Sequence, residues 1–434
     1  MTEWIGAADA ARRLGIKQAS LYSYVSRGVL TRRTSQDGRA SMFDPGEVES
    51  LARRGRPRRA PGATELVIES ALTEIAGDRL WYRGQEATVL ATSRTFEEVA
   101  CFLWTGSFHD AQPAGPWRAT SEAIAVGAAA QAALPPGTLP LERLQVIVPA
   151  LAATDPLRLQ LDPPAVIAAA RGLIAGLVDC LPPASPGEAA ASGTRAGSGD
   201  AADLGGAAGS VNVANSVGAA DGSIAARLAT RLCPRPEQPR LTATLQAALV
   251  LLADHELAAS TLAARVAASV RADPYAVVAT GLGAVGGALH GGASLGAELM
   301  LASASGPADA PRVVGDLLRR GERIPGFGHF VYKTGDPRSV LLLALTRDLA
   351  AGSPRLAVAD AVLAEARRRA LPEPNIDFAH AALADAAGMI RGAGEAVFAV
   401  ARSAGWLAHA LEEYARKRPI RPRGVYTGPP AEPS

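Results

Sequence analysis

ADHELAASTLAARVAASVRADPYAVVATGLGAVGGALHGGA, residues 253–293, is the stretch whose pattern decides the fold class. Its alanines, leucines and valines recur at helical spacing, with no alternation of the kind a half-buried strand shows. The most apolar run, Leu241 to Val270, overlaps its start and is interrupted by Asp254, His255, Glu256 and Arg265. Charges at mid-span cost roughly 2.5–3.5 kcal/mol each at a bilayer centre. The run is therefore expected to be a buried helix, not a membrane span. Gly281, Gly283 and Gly286 spell GxGxxG, the pattern of dinucleotide-binding turns. That turn needs a strand before it and an acidic residue about 20 positions later. Here an Ala-rich helical segment precedes it and Gly306 stands in a loop, so the glycines are read as close helix-packing points.

The composition agrees with a helical body. The chain has 434 residues, 48% of them hydrophobic, but only 20 are Phe, Trp or Tyr, so Ala, Leu and Val must build the core. Such a core favours packed helices over sandwiches. From Leu241 to about residue 415 the periodicity stays helical, and the body is expected to be all-α apart from short hairpins. At about 100–200 residues per domain, two to four folding units are expected. Cys101, Cys180 and Cys233 lie far apart, which excludes a disulfide framework and argues against a cysteine zinc site. There is no HExxH, no HxH pair and no carboxylate cluster beside the histidines, so no metal is expected. The first 25 residues include Glu3, Asp9, Arg12, Arg13 and Lys17 with no apolar run, so no signal peptide is read and a cytoplasmic protein is expected.

The net charge of +2 hides an asymmetry: residues 1–60 carry 12 Lys/Arg against 6 Asp/Glu, and the remainder is slightly acidic. In that head Ile5, Ala8, Ala11 and Leu14 recur at helical spacing, and Leu21, Tyr24 and Val25 follow after a turn at Gly15. This is the signature of a helix-turn-helix over residues 1–53. Gln18, Ser20 and Ser23 would then reach base edges, with Arg27, Arg32 and Arg33 near phosphates. A small helical domain used for protein contacts is the alternative. AARRLGI, LYSYVSRGVL and DGRASMFDPGEVESL resemble the head of MerR-type regulators in helix, recognition helix and wing. Residues 54–63 read as a basic linker. Residues 184–222, of which 26 of 39 are Ala, Gly or Ser, read as a flexible insertion unable to bury enough apolar area to offset its ordering entropy.

The chain has six histidines, His109, His255, His290, His329, His380 and His409. His255 follows Asp254 inside the expected helix, and His290 ends the small-residue run GLGAVGGALHGGAS. His329 lies in IPGFGHFVYKTGDPR, a Pro/Gly loop. A histidine on an apolar helix is usually structural. Two in glycine-rich loops suggest a ligand site, because glycine lets backbone approach closely.

Five segments in order, residues 253–293, 324–338, 374–383, 397–413 and 420–428, resemble the citrate synthase family over roughly residues 62–428. The resemblance implies a two-domain helical fold, with a large domain from 64–290 and 383–434 and a small domain, 291–382, that closes over substrate. It implies condensation of acetyl-CoA with oxaloacetate to citrate and CoA, with no further cofactor. Removing a proton alpha to a thioester requires a carboxylate base and a hydrogen bond to the enolate oxygen. By resemblance these are Asp377 and His290, while His329 polarises the ketone and protonates the alkoxide. Arg338, Arg402 and Arg421, with His255, would hold the dicarboxylate, and Arg421 would reach across a homodimer interface. Arg323, Ile324, Pro325, Gly326 and Lys333 would bind CoA. Arg338 and Arg402 could instead make salt bridges, and Asp377 could be a helix cap. The sequence departs from the family at Ala258, Phe330 and Ala379–Ala381, and in the basic head. Propionyl-CoA as substrate, giving 2-methylcitrate, and a metabolite-sensing DNA-binding regulator are the alternatives.

Overall fold

A computed structural model describes residues 4–14, 18, 21, 24–25, 30–35, 41–48, 68–108, 116–185, 222–423 and 427–428. The chain divides into two compact units, residues 1–68 and 69–434. Ser20, Ser23, Arg27, the 54–63 linker and most of the 184–222 insertion lie outside the described residues.

In the first unit, β1 (Ile5–Gly6), α1 (Ala7–Leu14), β2 (Arg32–Thr34) and β3 (Ser41–Phe43) are followed by a helical turn at 45–48. The strands form an antiparallel sheet in the order β1-β3-β2, with Ile5 opposite Phe43 and Arg33 opposite Met42. Residues 18, 21, 24 and 25 are helical, and Gln18 is exposed. The expected first-helix face is corrected: Ile5 belongs to β1 and Ala8 is exposed, while Ala10, Ala11, Leu21, Leu30, Phe43 and Val48 form the core. The Arg33 guanidinium sits 4.5 Å over the Trp4 ring.

The second unit opens with a meander, β4 (Thr73–Ala76), β5 (Arg79–Tyr82) and β6 (Gln85–Glu86). The helices α2 (Ala87–Ser93), α3 (Phe96–Thr105), α4 (Ser121–Ala132), α5 (Pro140–Ala153), α6 (Pro163–Asp179) and α7 (Ile224–Leu232) follow. Then come α8 (Leu241–Leu252), α9 (Ala259–Ser269), α10 (Pro274–Val285), α11 (Gly292–Ala302), α12 (Ala310–Arg319), α13 (Pro337–Leu349), α14 (Pro354–Arg368), α15 (Ile376–Ala387) and α16 (Ala393–Arg416). Among the described residues no helix is long and apolar enough to cross a membrane.

The expected single helix from Leu241 to Val270 is two, because residues 253–258 break it. Glu256 adopts φ +55°, and the Tyr82 hydroxyl donates to the Val250 carbonyl (3.0 Å) while accepting from the Asp254 N–H (3.3 Å). A buried phenol thus satisfies a helix end that would otherwise carry orphan carbonyls. His255 accordingly lies in a turn and not on a helix face. The GxGxxG reading holds best at Gly281, where a Cβ would come within 2.5 Å of the Trp406 indole; Gly283 faces open space.

Helix α16 is the central strut. It is buried on nearly every side, the mark of a helix surrounded by others, and it packs against α9, α10 and α8. Gly405 is required in it, because a Cβ there would meet the Asp254 carboxylate at 2.4 Å. The 253–258 turn therefore lies directly on the helix that carries Arg402.

Candidate active site

Three loops, two helix ends and the middle of α16 hold His255, His290, His329, Arg338, Asp377 and Arg402. His290 lies in the turn 286–291 between α10 and α11, where Ser260 of α9 reaches it. Ser260 Oγ is 2.8 Å from His290 Nε2 and accepts from Trp406 Nε1 at 3.3 Å. The indole is a donor only, and among the described residues His290 Nε2 is the one acceptor within reach of the serine proton, which therefore points at Nε2. Nδ1 therefore carries the imidazole proton and is the donor. Burial pushes His290 down to about 4, so the ring is neutral.

His329 has the opposite tautomer. Its Nδ1 accepts from the Val331 N–H at 3.0 Å, leaving the proton on Nε2. Burial, aided by Arg338, pushes this ring down to about 4 as well. The loop holding it is clamped on both sides. Gly328 N–H donates to the Glu373 carbonyl and Asn375 N–H to the Gly326 carbonyl, both at 2.8 Å, and Asn375 Nδ2 donates to the Gly328 carbonyl at 2.9 Å. Gly326 has φ +80°, and a Cβ there would strike the Phe378 backbone at 2.8 Å. On the other side Asp78, in the β4–β5 turn, accepts from the Lys333 and Thr334 N–H groups at 3.0 and 2.9 Å.

Asp377 occupies the first turn of α15. The alternative that it caps this helix is excluded, because Asn375 is the cap, accepting from the Asp377 and Phe378 N–H groups. Burial raises its carboxyl to about 7, against the pull of Arg338. Asp377 is thus a base with a pKa near neutrality, within electrostatic reach of Arg338, Asp336 and Arg402.

The arginines behave differently from one another. Arg338 is 2% exposed and gives Asp336 a bidentate pair, Nε to Oδ1 at 2.9 Å and Nη2 to Oδ2 at 2.8 Å. Burial opposes its charge, but Asp336 prevails and raises its pKa. Asp336 also accepts from the Ile376 N–H at 3.0 Å, tying α13 to α15. Arg402, 1% exposed, donates Nε to the Leu252 carbonyl at 2.8 Å and lies 4.5 Å over Phe398, while its Nη1 is buried without a partner. Burial lowers it to about 10. A buried guanidinium with an unused donor is a standing demand for an anion. Phe398 also touches His290, with ring centroids 5.6 Å apart, so Arg402 and His290 share one wall. His255 meets Tyr332 through Nε2 at 3.0 Å and lies 5.3 Å from His329, centroid to centroid; burial holds it well below its usual range.

Arg421 is exposed on the stretch after α16 and, among the described residues, makes no hydrogen bond or ion pair with this cluster. Ile324 and Gly326 are buried, Pro325 is half-buried, and Arg323 and Lys333 are exposed. Lys333 Nζ donates to the Phe330 carbonyl at 3.0 Å. Two apolar side chains stand in the open beside His290 and His329, Leu289 at 103% and Phe330 at 93% exposure. Sequence reasoning missed Ser260, Tyr332 and Asp336, all within segments it quoted. A serine four residues after Glu256 and an aspartate two before Arg338 were the available signals.

The arrangement can take a proton at Asp377, donate hydrogen bonds from His290 Nδ1 and His329 Nε2 to two oxygens, and pair an anion with Arg402. The family model described as citrate synthase, C-terminal domain, matches residues 63–423. The chain is 41% identical over 189 residues to citrate synthase 2 of Bacillus subtilis, 42% of this chain and 50% of that protein. It is 33% identical over 214 residues to a 2-methylcitrate synthase of Shewanella oneidensis, 48% of this chain and 56% of that protein. The chain spans about half the length of the curated relatives it matches. Its fold is shared with citrate synthase of Thermoplasma acidophilum, solved as a ternary complex with carboxymethyl coenzyme A and oxaloacetate. There the TM-score is 0.62 at 23% identity, covering 86% of this chain and 96% of that one. With the family model matched across most of its length, the chain belongs to the citrate synthase family.

Proposed function

We propose that this chain condenses acetyl-CoA with oxaloacetate to give citrate and free CoA. The observation that carries this reading is the pairing of Asp377, a base with pKa near 7, with two neutral histidines of opposite tautomer. Asp377 takes a proton from the acetyl methyl group while His290 Nδ1–H bonds the thioester oxygen, giving the enol(ate). Its terminal carbon attacks the ketone of oxaloacetate, and His329 Nε2–H bonds that oxygen and protonates the alkoxide as it forms. Water then cleaves the thioester, releasing CoA. A base whose pKa lies near the working pH does this best. Arg402, with its unused Nη1, takes a substrate carboxylate, and His255 and Arg338 line the same end. The complex described for the Thermoplasma protein supports this ligand pair. In this reading residues 291–382 close over the substrates, Arg323 to Gly326 and Lys333 meet CoA, and Arg421 completes the site of a partner in a homodimer. Propionyl-CoA is the competing acyl donor.

The test is thiol release from acetyl-CoA with and without oxaloacetate, beside Asp377→Asn and then with propionyl-CoA. Oxaloacetate-dependent release lost in Asp377→Asn is expected. No release with either donor, from folded protein that binds oxaloacetate, refutes the enzyme and favours a regulator. For the basic head we propose DNA contact, supported by β2, exposed along its length with Arg32 and Arg33 in it. A gel shift that weakens with salt, and is lost in Arg32→Ala with Arg33→Ala, is expected; salt-independent binding or none refutes it.

A further inference from the structure

A cavity of about 260 Å³ lies between the start of α5, the segment after α6, the end of α7 and the 388–392 turn. None of the catalytic or arginine residues above lines it. Three arginines do, Arg143, Arg231 and Arg391, and no acidic residue joins them. Arg143 is held in place, Nε on the Thr138 carbonyl at 3.2 Å and Nη1 on Gln131 Oε1 at 2.6 Å. Arg231 and Arg391 make no hydrogen bond or ion pair with the described residues. Like charges gathered round one hollow repel one another and favour an anion, although the Glu298 carboxylate, held by the Gly392 and Gly394 N–H groups, acts on Arg391 from outside the lining. The facing wall is apolar, built from Leu139, Pro140, Leu181, Pro182, Leu232 and Ile390.

We propose that this cavity is a binding site for a phosphomonoester on a compact apolar body. The volume is just below the ~300–1,000 Å³ of drug-sized sites, which suits a small ligand. Three guanidinium groups suit a phosphoryl group, whose three oxygens can each take a fork, better than a planar carboxylate with two. The apolar wall takes the remainder. The site is tied to the catalytic machinery by position. The Ile390 N–H donates to the Leu232 carbonyl at 2.9 Å, and the turn holding Arg391 joins α15, which carries Asp377, to α16, which carries Arg402. The assignment does not depend on the catalytic reading.

Isothermal titration of the full chain with phenyl phosphate tests it, with benzoate and inorganic phosphate beside it. Saturable binding of phenyl phosphate, at least tenfold tighter than either comparison ligand, is expected. In Arg231→Ala with Arg391→Ala the dissociation constant should rise at least tenfold. Should that double variant fail to fold, Arg391→Glu at an exposed position must show the same loss. Undiminished binding in the folded variants would place the anion elsewhere, on Arg338 and Arg402 for instance, and overturn the proposal. So would no binding to the wild type, or benzoate binding as tightly as phenyl phosphate.

Discussion

Replacing Asp377 by Asn should abolish turnover and at the same time stabilise the fold, by an amount that grows with pH. Burial raises this carboxyl to about 7, above the ~3.9 of an unfolded aspartate. A carboxyl raised on folding costs stability above its unfolded pKa: nothing below about pH 4, the full amount above about pH 7. At ~1.4 kcal/mol per unit, the cost is roughly 1.5 kcal/mol at pH 5, where the folded group is still protonated, and roughly 4 kcal/mol at pH 8. The amide has no charge to desolvate and keeps the shape. All other titrating groups are common to both proteins, so the difference between them isolates this position. Thermal unfolding of the two proteins, without substrate, should show Asp377→Asn melting several degrees higher at pH 8 and only slightly higher at pH 5. Thiol release measured on the same samples should be lost. A stability gain equal at the two pH values, or an Asn variant less stable than wild type at pH 8, refutes the reasoning that burial dominates this site.

Wild-type kcat/KM should rise with pH along one limb, about tenfold per unit below pH 7, because the base must be ionised. Both histidines titrate near 4, so no opposing limb belongs to them; a flat profile from pH 5.5 to 8 refutes the assignment. Ser260→Ala should lower kcat about 10- to 100-fold with little change in KM for oxaloacetate, since it removes the hydrogen bond that sets the His290 tautomer, ~1–3 kcal/mol; a kcat within threefold of wild type counts against that role. Gly326→Ala should destabilise the 324–330 loop by more than about 1 kcal/mol through positive φ and the clash with Phe378, seen as faster amide exchange at Gly328 and Asn375; unchanged exchange would contradict the clamp.

Much of the site was legible because its residues interrupt patterns. His290 and His329 stand among glycines that interrupt the helical period, whereas Asp377 also read as a possible helix cap, a role that Asn375 two residues earlier fills. The break at residues 253–258 was not legible, because it is enforced by the hydroxyl of Tyr82, 168 residues from Val250. No local propensity records such a contact. Ser260 has the same character: it reads as an ordinary helix serine until Trp406, 146 residues on, takes its lone pair. Asp336 stands two residues from Arg338, so that pair was in plain view but competed with the reading of Arg338 as a free anion ligand. At the N-terminus the apolar period ran astray because Ile5 is claimed by the strand pair with Phe43, which shifts the helix start and turns Ala10 inward in place of Ala8.

The burial of α16 has an evolutionary consequence. Arg402, Gly405 and Trp406 are each fixed by a different neighbour, Leu252, Asp254 and Ser260, and the residues between them belong to the core. Almost any substitution along this helix would be felt by the fold and the chemistry together, so drift here is closed to selection for new substrates. The exposed positions beside the histidines, Leu289 and Phe330, bear no such double duty. Divergence among descendants of this protein should therefore accumulate in the two loops, while α16 stays nearly silent.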